Sequence, residues 1–308
     1  MKILLTGARG MVGRNILSHP MSELHDFLIP SSSELNLLDN LQIINYLEEH
    51  KPDFIIHAAG VVGGIHANVS NPVKFMVENM SMGLNLITTA KNKNIKKLLN
   101  LGSSCMYPKS FDTALSEDLI LRGELEPTNE GYALAKIASA RLCEYINRED
   151  PSFQYKTAIP CNLYGKYDKF DEKNSHMIPA VIRKIAKATE EKKEVVEIWG
   201  DGEVRREFMY AEDLADFIFY AINNFTKMPQ NINVGLGHDY TITEYYTIIA
   251  KTIGYKGGFI YDSTKPVGMR RKLIDNTLLS EFGWNYKTDL KDGISYTYQY
   301  FLNENNND

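Results

Sequence analysis

The sequence predicts an α/β protein built on a doubly wound parallel sheet, with a second, smaller α/β lobe. Three observations carry that reading. Short apolar runs alternate with amphipathic helical segments through the first half, a glycine-rich turn joins the first run to the first helix, and the rhythm changes after Gly165. The runs Lys2–Thr6, Phe27–Pro30, Asp53–Ala58, Lys97–Leu101 and Tyr155–Pro160 read as strands covered on both faces, because their apolar residues are close to continuous. Between them Gly10–Ser18, Leu41–His50, Pro72–Asn92 and Gly131–Arg148 have helical spacing, with Leu41, Ile44 and Leu47 on one face. Beyond Gly165 the polar stretch Lys166–Ser175 leads into a helix over Ile178–Glu191. Short strands such as Asn231–Val234 then mix with helices such as Thr241–Ile253.

Length and composition bound the function. At 308 residues the chain is about twice a typical ~150-residue domain, so a large core or two domains are possible. Apolar residues make up 44% and charged residues 24%, which excludes disorder for the bulk. Lys and Arg number 34 against 39 Asp and Glu, a formal charge of −5 that argues against nucleic acid or an anionic membrane as partner. Cys105, Cys143 and Cys161 are too few and scattered for a disulfide framework, and none forms a CxxC metal pair, so no metal is expected and a reducing cytoplasm fits. The start has no secretory apolar region and no run of 18 apolar residues occurs, so neither export by that route nor a membrane span is expected. There is no repeat of solenoid period, and only Asn303–Asp308 reads as a frayed tail.

The turn after the first strand is Gly7-Ala8-Arg9-Gly10-Met11-Val12-Gly13, with glycines at i, i+3 and i+6 and a helix beginning inside it. Glycines there permit a tight turn, close approach of a pyrophosphate and close helix–strand packing, and the helix N-terminus adds partial positive charge. This is a dinucleotide loop of the Rossmann type. At the end of the second strand, Ile29-Pro30-Ser31-Ser32-Ser33 lacks the acidic side chain that holds the ribose 2′-hydroxyl of NAD, while Arg9 can meet a 2′-phosphate. NADP(H) is therefore the expected cofactor. Residues 1–165 with about 205–235 are assigned to its domain, and about 166–204 with 236–308 to a substrate domain.

Gly131-Tyr132-Ala133-Leu134-Ala135-Lys136 places a phenol and an ammonium at i and i+4 on one helical face. The lysine is expected to lower the phenol's pKa of about 10 toward the working range. Upstream, Leu101-Gly102-Ser103-Ser104-Cys105-Met106-Tyr107-Pro108 ends the fourth strand, where ligands bind in open α/β sheets, and Ser103 can hydrogen-bond a carbonyl there. A glycine loop, a strand-end serine and a downstream Tyr-x-x-x-Lys in this order resemble the short-chain dehydrogenase/reductases, specifically their extended, nucleotide-sugar-modifying branch. Five blocks narrow the resemblance: His57-Ala58-Ala59-Gly60-Val61-Val62-Gly63-Gly64-Ile65, the Ser103–Pro108 segment, Leu125–Glu130, Asn174-Ser175-His176 and Arg206-Glu207-Phe208. Together they resemble the GDP-L-fucose synthases, which are GDP-4-keto-6-deoxymannose 3,5-epimerase/4-reductases, over about Ile3 to Phe301.

That resemblance implies reduction at sugar C4 with NADPH. Ser103 holds the ketone oxygen, Tyr132 protonates it, and Lys136 tunes the tyrosine and grips the ribose. Cys105 and His176 serve as the acid and base of C3/C5 epimerisation, with ordinary pKa values of about 8.5 and 6.5. Gly7, Arg9, Gly10, Met11, Val12, Gly13, Asp39, Ala58, Ala59, Pro160 and Leu163, with Tyr132, Lys136 and His176, line the cofactor. Asn162, Arg183, Lys184, Trp199, Arg206, Lys265 and Arg271 take the GDP-sugar, and Lys272 is a further basic candidate beside Arg271. A homodimer through Pro72–Asn92 and Gly131–Arg148 is implied as well. Val61, and the Val267 and Met269 of the Lys265–Lys272 turn, depart from the fucose synthase pattern. They leave open a related GDP-4-keto-6-deoxy-heptose reduced without epimerisation. A non-catalytic NADP-sensing regulator is a more remote alternative, disfavoured because Ser103, Tyr132 and Lys136 are all retained.

Overall fold

In the computed structural model, residues 1–111, 113–171, 175–265 and 269–305 are described. Val267 of the departing turn, and Asn174 of the Asn-Ser-His block, lie outside them. The central sheet has six parallel strands in the order β2-β1-β3-β4-β5-β10: Asp26–Leu28, Lys2–Thr6, Phe54–His57, Lys97–Leu101, Gln154–Pro160 and Asn231–Val234. Helices α1 (Met11–Ser18) and α7 (Ala211–Asn223) pack together, as do α2 (Asn40–His50), α4 (Pro72–Asn92) and α5 (Glu130–Glu149), while α3 (Ile65–Ser70) precedes α4.

Strand alternation explains the two layers. On β1, Ile3 and Leu5 enter one core with Ile16, Phe54, Ile56 and Phe217, whereas Leu4 enters the other with Ile43, Ile55, Leu86 and Cys143. Both faces are covered, so the strand reads as an unbroken apolar run. In α2 the buried pair is Ile43 and Leu47, and Leu41 is 64% exposed, so the expected Leu41–Ile44–Leu47 face is rotated. Asp39 sets that helix's phase by capping it: its carboxylate accepts from the Leu41 and Gln42 amides. Helices α4 and α5 approach closely at Gly83, where a Cβ would lie 2.1 Å from Ser139 Oγ.

A second core gathers Tyr164, Ile178, Ile182, Ile185, Ile198, Phe208, Tyr245 and Ile249. It is built by β6 (Asn162–Tyr164) paired with β9 (Phe208–Tyr210), α6 (Met177–Glu190), β7 (Val195–Trp199), α8 (Ile242–Ile253), β12 (Gly258–Asp262, paired with β7) and α10 (Leu290–Asn305). A capping box of Thr241 and Glu244 starts α8, and Gly254 at φ +86° ends it. Strands β8 (Arg205–Arg206), β11 (Tyr240–Thr241) and β13 (Arg271–Lys272) form a small mixed sheet, and α9 (Thr277–Phe282) completes the chain order. Among the described residues, no helix is long and apolar enough to cross a membrane.

Glu207, between β8 and β9, ties distant segments together. Its buried carboxylate accepts from the Leu236 amide (2.5 Å), the Gly237 amide (3.0 Å) and the Ile274 amide (3.0 Å). Burial nevertheless raises its pKa from 4.5 to about 7, against the pull of those amides. Between those two values the native state holds a proton that the unfolded state has released, so this group makes stability fall as pH rises through that window. Urea denaturation of wild type and Glu207→Gln across pH 4.5–7 should therefore show a downward contribution in the wild type that the variant lacks.

Candidate active site

The chain crosses from β1 to β2 on one side and to β3 on the other, so the carboxyl ends of β1 and β3 flank a crevice. The glycine turn lies there. Gly7 has φ +74°, and a Cβ on it would lie 2.7 Å from the Ala58 carbonyl carbon; a Cβ on Gly13 would lie 2.4 Å from the Gly7 oxygen. No side chain of this length fits either position, so backbone lines the cradle. Met11 begins α1 with Gly10 as its N-cap and no side-chain cap on its first amides. Met11 and Val12 are half-buried, and Ala58 and Ala59 form the facing wall. The Ala59 amide donates to Thr6 Oγ1 (3.2 Å), which itself pairs with His57 Nδ1 (2.9 Å). Burial and the neighbouring Lys136 hold His57 neutral, with its pKa down at about 3.

At the far end of the crevice, Arg9 is exposed, and Glu34 is held below the usual carboxylate range chiefly by hydrogen bonds from Ser31, with the Arg9 charge adding to the fall. The Glu34 carboxylate folds back to accept from the Ser31 amide (2.7 Å) and Ser31 Oγ (2.6 Å). The corner read as free of carboxylates thus has one immediately beyond Ser33, occupied in fixing Ser31 and balancing Arg9. Asp39 lies with its carboxylate directed into the α2 cap.

The residues expected at the reaction centre come together where β4 meets α5. Ser103 caps the turn Ser104–Met106, its Oγ accepting from the Cys105 amide (3.4 Å). Lys136 Nζ donates to the Leu101 carbonyl (2.9 Å) and stands 5.8 Å from the centre of the Tyr132 ring. Asn79 fixes the loop opposite, accepting from the Val61 amide (2.8 Å) and donating to the Val61 carbonyl (3.0 Å). Burial dominates the electrostatics. It pushes the Tyr132 phenol upward, with the Cys105 charge adding to the rise, and lowers Lys136 to about 8. The expected lowering of the tyrosine by its lysine is therefore overturned: the phenol stays protonated. Burial also raises Cys105, and the ammonium of Lys272, Ser103 and Lys136 pull the other way.

The end of β5 and the strands that follow it supply the facing wall. Pro160 is buried at the end of β5, and Leu163 on β6 packs against the main core. Asn162 Nδ2 donates to the Glu207 carbonyl (2.9 Å). Arg206 and Lys272 are register partners on β8 and β13, and Lys272 senses Cys105, Arg206, Cys161 and Glu126. Arg271 is its strand neighbour and so faces the other way: its guanidinium reaches Asp239 (2.5 Å) beside Arg205 (2.7 Å). The residue of this strand brought to the centre is thus Lys272, not Arg271. Lys184 is likewise turned away. Its ammonium donates to the Glu197 carbonyl (2.6 Å), and burial lowers its pKa. Trp199 is exposed, with Lys265 Nζ 5.8 Å from its ring, and Arg183 donates to the Phe170 carbonyl (2.9 Å). His176 stands at the start of α6 with Nδ1 3.7 Å from Asp168 Oδ1. Cys143 and Cys161 are buried and free. Among the described residues, no cluster of ligating side chains could hold a metal ion.

An open parallel sheet whose switch point carries a backbone-lined glycine cradle defines the class of dinucleotide-dependent enzymes. The chain belongs to the NAD dependent epimerase/dehydratase family, whose model matches residues 3–235. It is 76% identical to the GDP-L-colitose synthase of Yersinia pseudotuberculosis over 308 residues, 100% of both chains. It is 46% identical to the GDP-L-fucose synthase of Azorhizobium caulinodans over 304 residues, 99% of this chain and 97% of that one. Among solved structures it is similar to MlghC, a GDP-mannoheptose C4 reductase from Campylobacter jejuni with NADP bound, at TM-score 0.89 and 30% identity over 98% of each chain. The resemblance read from the motifs is borne out, and the protein is an enzyme.

If Lys136 grips the cofactor as an ammonium, its pKa of about 8 has a measurable consequence. NADPH affinity, followed by fluorescence titration, should fall as pH rises through about 8. Lys136→Met should bind weakly with no step at that pH.

Proposed function

We propose that this enzyme epimerises C5 and reduces C4 of a GDP-4-keto-3,6-dideoxy sugar, with NADP(H) as cofactor and GDP-L-colitose as product. The 76% identity to a GDP-L-colitose synthase along the entire chain carries the choice of sugar. GDP-L-fucose, the product favoured on motifs alone, is the second reading and is supported by the 46% relative. Colitose is fucose without the C3 hydroxyl, so C3 becomes a methylene and only the inversion at C5 remains. The heptose reading has support only at 30% identity.

The residues support a two-part chemistry. A ketone at C4 acidifies the C5 proton because the resulting carbanion delocalises into an enolate. Cys105 and His176 exchange that proton, and the Lys272 ammonium stabilises the Cys105 thiolate when it forms. NADPH, when bound in the glycine cradle, supplies the hydride that reduces C4. Ser103 Oγ holds the C4 oxygen, and the Tyr132 phenol, kept protonated by burial, is in the form needed to donate its proton. Lys136 carries charge beside it. Arg206 faces the diphosphate, and Trp199 with Lys265 offers a ring and a cation to the guanine. The cofactor lobe is taken as residues 1–165 with about 205–235 and the sugar-nucleotide lobe as the remainder, with Tyr164 and Phe208 packing across into the second core and Leu279 and Trp284 returning to the first. The three free cysteines suit a reducing cytoplasm.

Turnover of GDP-4-keto-3,6-dideoxymannose and of GDP-4-keto-6-deoxymannose with NADPH, in heavy water, tests the reading. The 3-deoxy substrate should be preferred and its product should carry deuterium at C5. Tyr132→Phe should lose roughly 100-fold or more in kcat. Preference for the 6-deoxy substrate would select the fucose reading, and product without label at C5 would remove epimerisation.

A homodimer through α4 and α5 completes the proposal. Val73 is 73% and Val77 54% exposed on α4, one turn apart, with Ile65 and Val69 continuing the apolar stripe from α3. Light scattering should give twice the 35.0 kDa chain mass, and Val73→Glu with Val77→Glu should give the monomer.

A further inference from the structure

We infer that Asp168 is the positioning residue that fixes the tautomer of His176, holding Nδ1–H toward its carboxylate and leaving Nε2 as the proton-transfer atom. This deepens the reading above, since it rests on His176 exchanging the C5 proton. The Asp168 side chain is only 6% exposed, and its Oδ1 lies 3.7 Å from His176 Nδ1 while accepting from the Lys169 amide (2.8 Å). Its Oδ2 is buried with no hydrogen-bond partner among the described residues. A buried carboxylate left short of donors is costly, and the imidazole, whose Nδ1 stands nearest Oδ1, is the ring placed beside this carboxylate. The ring is free to turn, being 41% exposed and making no capping bond to α6. Ser175 Oγ donates to the Lys169 carbonyl (2.7 Å) and to that of Asp171, so both ends of the loop are stitched together and the pair stays opposed. Beside this pair, Lys166 pairs with Glu212, and Arg183 donates to the Phe170 carbonyl.

The proton count closes without ionisation of Asp168 changing. When Nε2 accepts a proton from carbon, the C–H electron pair passes into the enolate. The ring becomes an imidazolium whose Nδ1–H still faces the carboxylate; the Cys105 thiol then gives its proton to the opposite face of C5, the enolate pair forming the new C–H bond, and transfer of the imidazolium proton through solvent to the thiolate restores both groups. An aspartate in this place restricts the ring's orientation and fixes which nitrogen carries the proton.

Nitrogen NMR of the protein labelled in histidine, with His176→Gln identifying the signal, should show the neutral ring of His176 protonated at Nδ1. Protonation at Nε2 would overturn the inference, and this arm needs no substrate. In Asp168→Asn, deuterium entry at C5 should fall roughly tenfold or more, with NADPH affinity and the thermal midpoint unchanged, and Asp168→Glu should recover part of the loss. Exchange at the wild-type rate in Asp168→Asn would refute the inference while leaving the reaction intact. Absence of exchange in the wild type would fail the functional reading instead, with the NMR result still deciding the tautomer.

Discussion

The reaction centre depends on one buried hydrogen bond, from Lys136 Nζ to the Leu101 carbonyl. It joins the carboxyl end of a central strand to the middle of α5, and thereby sets the height and rotation of that helix over the sheet. Tyr132 stands one turn earlier on the same face, so the bond that seats the lysine also brings the phenol to the Ser103–Cys105 turn. A charged amine with most of its surroundings apolar needs a fixed acceptor, and a strand-end carbonyl beyond the last ladder bond is a natural one. Its depressed pKa shows the tension in this arrangement: burial disfavours the charge that the hydrogen bond favours.

Helix packing makes that seating possible. With Gly83 on α4 meeting Ser139 on α5, the two helices close to a distance that a Cβ would forbid. Asn79, one turn before Gly83 on α4, then reaches the loop after β3 and fixes Gly60 and Val61 opposite Lys136. A Cβ on Gly60 would lie 3.8 Å from Lys136 Nζ. The wall of the crevice and the Tyr132–Lys136 pair are therefore held by one pair of helices, which also carries part of the proposed dimer stripe.

Much of the first half was legible in the sequence because its strands are buried on both faces and its turn chemistry is local. Lys2–Thr6, Lys97–Leu101 and Pro72–Asn92 match their elements residue for residue. The limits were those of information that a single strand or helix does not contain. Arg271 and Lys272 are adjacent cations on a two-residue strand, and which one faces Cys105 is decided by pairing with Arg205 and Arg206, a register set from outside. Lys184 has helical spacing suited to a ligand, yet β7 offers it a carbonyl first. Glu34 lies one residue beyond the segment that the cofactor rule inspects, and only the backbone turn returns it to Ser31. Asp168 gave no local signal because it lies eight positions before His176, across a polar loop. Such a pairing could be sought by asking which buried carboxylate a histidine would satisfy.

The signs of the shifts at the centre share one logic. Burial moves Cys105 and Tyr132 up and Lys136 and Lys272 down, so each is displaced toward its uncharged form. Lys136, lowered only to about 8, still holds its proton at neutral pH while the phenol and the thiol stay uncharged, so the site keeps positive charge with no fixed anion opposing it. Negative charge developing on an enolate or a C4 oxygen would then raise the affinity of both lysines for their protons and strengthen their stabilisation of it. The cations thus act most when the transition-state charge is present and least when it is absent, which is the differential interaction that catalysis requires. The overall charge of −5 is no obstacle to the proposed anionic nucleotide, because Lys136, Lys272 and Arg206, drawn together from α5, β13 and β8, offer a local group of cations.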